Sequence, residues 1–176
     1  MILADTGLQK KVMYINNRIE KKIDVKKFEK TSSVVSGSLD YKNKDIESIL
    51  KWFSRLLQKD KKYEDQINLI LLWQINDKVE NWIDRYKLTN IVTTFDHYVG
   101  EKDMETYMSR SHYAIISSYP DSIYGKYKIS GAFGDAIWFN LPVILSENYA
   151  PDYKSENVIR FKNDSLDALL ETLIVK

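Results

Sequence analysis

"INLILLWQINDKVENWIDRYKLTNIVTTF", Ile67 to Phe95, carries three structural signals in one run. Its first part, Ile67 to Trp73, is a continuous apolar block, as expected of a strand covered on both faces. Asp77, with Glu80 three residues on, resembles a capping box, and Val79, Trp82, Ile83 and Tyr86 recur behind it at helical spacing. Asn90 to Phe95 then returns to a β-branched run. Strand, helix and strand in immediate succession predict two parallel strands joined by a crossover helix.

The same alternation extends in both directions. Upstream, "SSVVSGS" (Ser32 to Ser38) reads as a buried strand running into a glycine turn, followed by Ile46, Ile49, Leu50 and Phe53 on one helical face. Downstream, Met104, Tyr107 and Met108 mark a short helix and "YAIISS" (Tyr113 to Ser118) a fourth strand. "SGAFGDAIWFNLPVIL" (Ser130 to Leu145) is a helix that runs into a fifth strand. "NVIRF" (Asn157 to Phe161) precedes a helix carrying Leu166, Leu169, Leu170 and Leu173. Strand and helix trade places about six times, which predicts an α/β fold: a parallel sheet of about six strands with helices on both faces. Residues 1–30 are Lys-rich, with "VMYI" as their one short strand, and are expected to be an interdomain linker or lead-in. Residues 31–176 are then one domain.

The 176 residues are 44% hydrophobic and 29% charged, with a formal net charge of +1. That suits one hydrophobic core and offers no strong basic face for nucleic acid. Cysteine is absent, which removes disulfides, thiolate metal sites and cysteine nucleophiles. The start, "MILADTGLQKK", lacks the apolar run of a signal peptide, and Leu69 to Trp73 is too short to span a bilayer. A cytoplasmic chain without a transmembrane segment is expected.

In parallel sheets ligands sit beyond the carboxyl ends of the strands, so the loops after strands are the places to look. After the first strand, Gly37 permits close backbone approach, and Lys42 and Lys44 are cations suited to a diphosphate or simply to a solvated helix start. After the third, Tyr98 or His97 could stack on a base or serve the loop alone. After the fourth comes the long, tyrosine-rich "YPDSIYGKYKIS". A helix beginning at Ser130, Gly131 and Ala132 presents unpaired N–H groups and a positive dipole end, an anion site in the making. Asp135, about one turn in, can accept hydrogen bonds from vicinal hydroxyls, as acidic residues do with ribose, or merely favour the dipole. Amides for phosphate with a carboxylate for ribose describe a nucleotide. "SGSLDY" is not the G-x-G-x-x-G of a dehydrogenase, and Gly125-Lys126 lacks the Ser or Thr of a P-loop. Ser146 and Glu147 stand after the fifth strand, where a receiver-type signalling domain needs a lysine.

The order of "SGSLDYKNKDIESIL", "INLILLW", "NIVTTF", "YAIISS" and "SGAFGDAIWFNLPVI" resembles the C-terminal, Rossmann-like, donor-binding half of GT-B glycosyltransferases, particularly the retaining group called family 4. The likeness runs from Ser32 to about Lys176 and is strongest at Asp135-Ala136 and Leu141-Pro142-Val143-Ile144. It implies transfer of a sugar from a nucleoside diphosphate donor to a glycan or lipid-linked acceptor, as in polysaccharide or lipopolysaccharide biosynthesis. It implies Asp135 on the ribose, the amides of Ser130, Gly131 and Ala132 on the diphosphate, and Lys42 and Lys44 stabilising the leaving group, beside Gly37, Ser38 and Tyr98. No metal or other cofactor is implied. Three positions depart from the family pattern: Tyr127 where a second acidic residue is common, Ser38 where arginine is common, and Trp73-Gln74-Ile75-Asn76 in place of a glycine-rich turn. Nucleotide binding is therefore better implied than catalysis, and a non-catalytic nucleotide-sugar-binding module acting with a partner chain is the alternative. The acceptor-binding N-terminal domain of such enzymes has no counterpart here. "VMYINNRIEKKIDVKKF" is similar to their interdomain junction, which implies a fragment that binds nucleotide weakly for want of one cleft wall.

Overall fold

The computed structural model describes residues 25–38, 43–119, 121–124, 129–147, 149, 156–162 and 165–174. In chain order the elements are β1 (Thr31–Ser36), α1 (Ile46–Lys59), a 3-10 turn (Lys61–Asp65), β2 (Ile67–Gln74), α2 (Asp77–Arg85), β3 (Val92–Phe95), α3 (Glu101–Arg110), β4 (Tyr113–Ile116), α4 (Gly131–Trp138), β5 (Val143–Ser146), β6 (Val158–Phe161) and α5 (Leu166–Leu173). The short strand expected at "VMYI" lies outside the described residues, as do Lys42 and Tyr127.

Three of the helices, α1, α2 and α4, start where a polar side chain takes up an orphan amide. Asp45 caps α1 by accepting from the Ser48 N–H at 3.2 Å. At α2 the cap is Asn76, one residue before the expected Asp77: extended backbone at Asn76 brings its Oδ1 within 3.1 Å of the Val79 N–H. Asp77 and Glu80 instead lie in the first turn, where negative charge favours the dipole. The Met104–Met108 helix is longer than its apolar positions indicated: it runs from Glu101 to Arg110, with Gly100 as an N-cap that makes no side-chain hydrogen bond.

Among the described residues the sheet has six strands in the order β3-β2-β1-β4-β5-β6, every pair parallel. Strand alternation divides its side chains between two layers. Val35, Leu69, Leu71, Ile115 and Ile144 pack beneath α1, α2 and α5, whereas Val34, Ile70, Leu72, Ala114, Ile116, Val143 and Leu145 face α3 and α4. The continuous apolar run in β2 thus feeds both layers at once. Among the described residues no helix is long and apolar enough to cross a membrane.

The described part of the expected lead-in is held against this domain. Phe28 donates its N–H to the Arg110 carbonyl at 3.0 Å, packs on Tyr107, and lies beneath the Arg110 guanidinium. Lys27 Nζ donates to the Ser109 and Ser111 carbonyls at 3.0 and 2.6 Å. Segment and helix end thereby satisfy each other.

One polar splice joins β1 to the residue that precedes β4. The Ser32 N–H donates to His112 Nδ1 at 3.1 Å, and the His112 N–H returns to the Ser32 carbonyl at 2.8 Å. Nδ1 accepts only while unprotonated. Burial, followed by the nearby Lys27 charge, lowers the His112 pKa. The unfolded chain, with a value of about 6.5, takes up this proton more readily than the folded one. The contribution is therefore complete above pH of about 6.5 and is lost as pH falls from there through the folded value. Urea unfolding between pH 7.5 and 5 is expected to show wild-type stability falling with pH and a flatter profile for His112→Gln; parallel profiles would contradict the assignment.

Candidate functional site

The strand order reverses between the adjacent strands β1 and β4, with β2 and β3 laid beyond one and β5 and β6 beyond the other. Above the carboxyl ends of β1 and β4 lies a cavity of about 460 Å³, within the usual range for small-ligand sites. Its walls bring together most of the residues singled out in the sequence: Gly37, Ser38, Lys44, Ser130, Gly131, Ala132 and Asp135. Tyr98 is not on these walls. It is 69% exposed and meets the cavity indirectly, edge-on to Trp73, which does line it. His97 is also exposed, beside Asp96 at 2.7 Å.

On the β1 side, backbone geometry and charge are linked. Gly37 has φ +75°, a left-handed conformation open to glycine at little cost. A Cβ there would stand 3.2 Å from Lys44 Nζ and 3.9 Å from Ala132 Cβ. The missing side chain makes room for the lysine head, which donates to the Ser36 carbonyl at 2.6 Å and is thus fixed at the end of β1. The close approach expected of Gly37 is therefore made first by the protein's own cation. Among the described residues the cavity walls carry one cation, Lys44, and one carboxylate, Asp135.

Facing them, α4 opens toward the cavity. Ser130 is its N-cap: Oγ accepts from the Phe133 N–H at 3.3 Å, and the Ser130 carbonyl accepts from Phe133 and Gly134. The Ser130 N–H, expected among the phosphate-binding amides, is already taken by the Tyr149 hydroxyl at 2.7 Å. That hydroxyl also donates to Ser130 Oγ at 3.0 Å. Tyr149 is 1% exposed, and burial raises its pKa, so the proton it donates stays in place at neutral pH. Arg160 Nη1 holds the Tyr149 carbonyl at 2.9 Å. Ser130 therefore anchors the helix, and the Gly131 and Ala132 N–H groups that follow have no acceptor within the helix. Gly131 has nothing within 4 Å of where a Cβ would stand. Asp135, half-buried one turn further on, faces the same space.

Sequence reasoning missed Trp73, Ser117, Ser118, Tyr124 and Tyr149 as wall residues. Ser117 and Ser118 were findable: a serine pair at the carboxyl end of a strand beside the change of direction is a signal in itself. Tyr149 had none, because its partner Ser130 lies on a different element.

No family model and no curated protein sequence matches this chain. Solved structures share its fold. An α,α-trehalose-phosphate synthase (UDP-forming) from Burkholderia vietnamiensis matches with a TM-score of 0.64 and 10% identity, over 82% of this chain and 35% of that one. The trehalose-6-phosphate synthase OtsA gives 0.61 and 14% over 81% and 35%. The C-terminal domain of a glycosyl transferase group 1 family protein, LpcC, from Francisella tularensis gives 0.60 and 10% over 81% and 74%. The chain spans about a third of the length of the trehalose-phosphate synthases. Its six-stranded α/β domain has the fold found in GT-B glycosyltransferases, as the resemblance implied.

The Tyr149 clamp makes a stability prediction. Tyr149→Phe removes the acceptor of the buried Ser130 N–H and is expected to cost about 1–3 kcal/mol. A urea midpoint equal to that of the wild type would show that the hydroxyl does not hold the helix start.

Proposed function

We propose that residues 31–176 form the donor-binding domain of a retaining glycosyltransferase, preceded by the lead-in of residues 1–30. The reading rests above all on one observation. The start of α4, the Lys44 ammonium and Asp135 all line one cavity where the strand order reverses. The solved glycosyltransferase structures support the fold in which this occurs.

On this reading the Gly131 and Ala132 amides and Lys44 hold the diphosphate of a nucleoside diphosphate sugar, with Ser38 at the same turn and Asp135 on the ribose hydroxyls. Lys42 joins them as a second cation. In the reaction the bond from the anomeric carbon to the diphosphate oxygen breaks. An acceptor hydroxyl oxygen bonds to that carbon on the same face and passes its proton to the departing diphosphate oxygen, so the configuration is kept. Negative charge grows on the departing diphosphate, and donors already fixed in place stabilise it without reorganising. Charge compensation is thus assigned to amides and lysine rather than to a metal ion. The acceptor, a glycan or lipid-linked sugar in polysaccharide assembly, would be supplied by a further domain or a partner chain. A cytoplasmic setting, at the inner membrane face for a lipid-linked acceptor, suits such a donor.

Binding without transfer is the second reading. Tyr127 at the second acidic position favours it. Sugar transfer or donor hydrolysis by the chain together with its acceptor-binding partner separates the two.

UDP is the first diphosphate to try, since the Burkholderia structure is of a UDP-forming enzyme; GDP and ADP follow. By calorimetry Asp135→Ala is expected to weaken the best-bound diphosphate roughly 10- to 100-fold. The wild type should lose a similar amount when the ligand is its 2′-deoxy form, whereas the variant should be indifferent to that change. Equal binding by wild type and variant would remove Asp135 from the site.

A further inference from the structure

β4 ends at Ile116, and the chain continues along the cavity wall through Ser117 and Ser118. Ser118 is 5% exposed, and its Oγ has no hydrogen-bond partner among the described residues. The contrast with Ser130 is direct, since that hydroxyl accepts from both Phe133 and Tyr149. A buried hydroxyl without a partner has given up its hydration with nothing in exchange, and native proteins seldom leave one in that condition. Alanine would fill the same space at lower cost. The unsatisfied group is therefore informative, because it lines the cavity, where a ligand could complete it.

We propose that Ser118 is a ligand-contact residue whose hydroxyl pairs with an uncharged hydroxyl or amide group on the nucleoside of a bound nucleoside diphosphate. The proposal rests on the nucleotide reading of the cavity given above. The charged part of such a ligand has its own partners in Lys44 and the Gly131 and Ala132 amides. A sugar to be transferred must face outward, toward an acceptor. Ser118, enclosed at the end of a central strand, is left to reach the portion that stays bound throughout, and rotation about one side-chain torsion is enough to turn its hydroxyl. Serine can both donate and accept, so either a ribose hydroxyl or a base amide satisfies it.

The test pairs affinity with stability, because a contact of this kind moves them in opposite senses. UDP, GDP and ADP are titrated calorimetrically into wild type and Ser118→Ala, and both proteins are unfolded in urea without ligand. The variant is expected to bind the preferred diphosphate about tenfold more weakly. Its urea midpoint should equal or exceed that of the wild type. Unchanged affinity overturns the proposal, and so does weaker binding accompanied by a lower midpoint, which would make Ser118 a packing residue. If the wild type binds none of the three diphosphates, the nucleotide reading itself fails and this assignment goes with it; unchanged binding by the variant alone leaves that reading standing.

Discussion

Parallel strands need crossover connections, and the right-handed crossover fixes which face each helix covers. A chain that moves one way along a sheet keeps its helices on one face, and a chain that turns back must place them on the other. This chain runs outward from β1 to β3 and then turns back, crossing to lay β4 on the other side of β1. α1, which follows β1, packs with Val35 and Leu71, while α4, which follows β4, packs with Val34 and Ile116. The connections leaving two adjacent strands therefore diverge above their carboxyl ends. The cavity follows from that divergence.

Within this opening the local chemistry is set by how the protein's own polar groups are used. Gly37 leaves space for Lys44, and the Ser36 carbonyl holds the ammonium there. Tyr149 occupies the Ser130 amide and returns its proton to Ser130 Oγ, which in turn caps α4. The helix start is thus braced by a residue of the cavity wall itself. Gly131 and Ala132, next in that helix, line the cavity together with Lys44.

Much of the fold was legible in the sequence because each element carries its own signal over a few residues. The apolar block of β2, the stripe Ile46, Ile49, Leu50 and Phe53 of α1, and the Pro-Val-Ile run into β5 need no distant partner to be read. Cap positions were less secure. Asn76 rather than Asp77 starts α2, because two adjacent residues can both serve as caps and only the backbone angles choose between them.

The sequence alone determined the α/β class, the strands and helices, and the cluster of Gly37, Lys44, Gly131, Ala132 and Asp135, since periodicity and loop position after strands are local properties. Tertiary structure decided the strand order, the exclusion of Tyr98 from the cavity walls, the use of the Ser130 amide by Tyr149, and the isolation of the Ser118 hydroxyl. These depend on which groups meet across long sequence separations. Whether a polar group is spent on the fold or left for a ligand is settled by its neighbours in space, and no spacing along the chain records them.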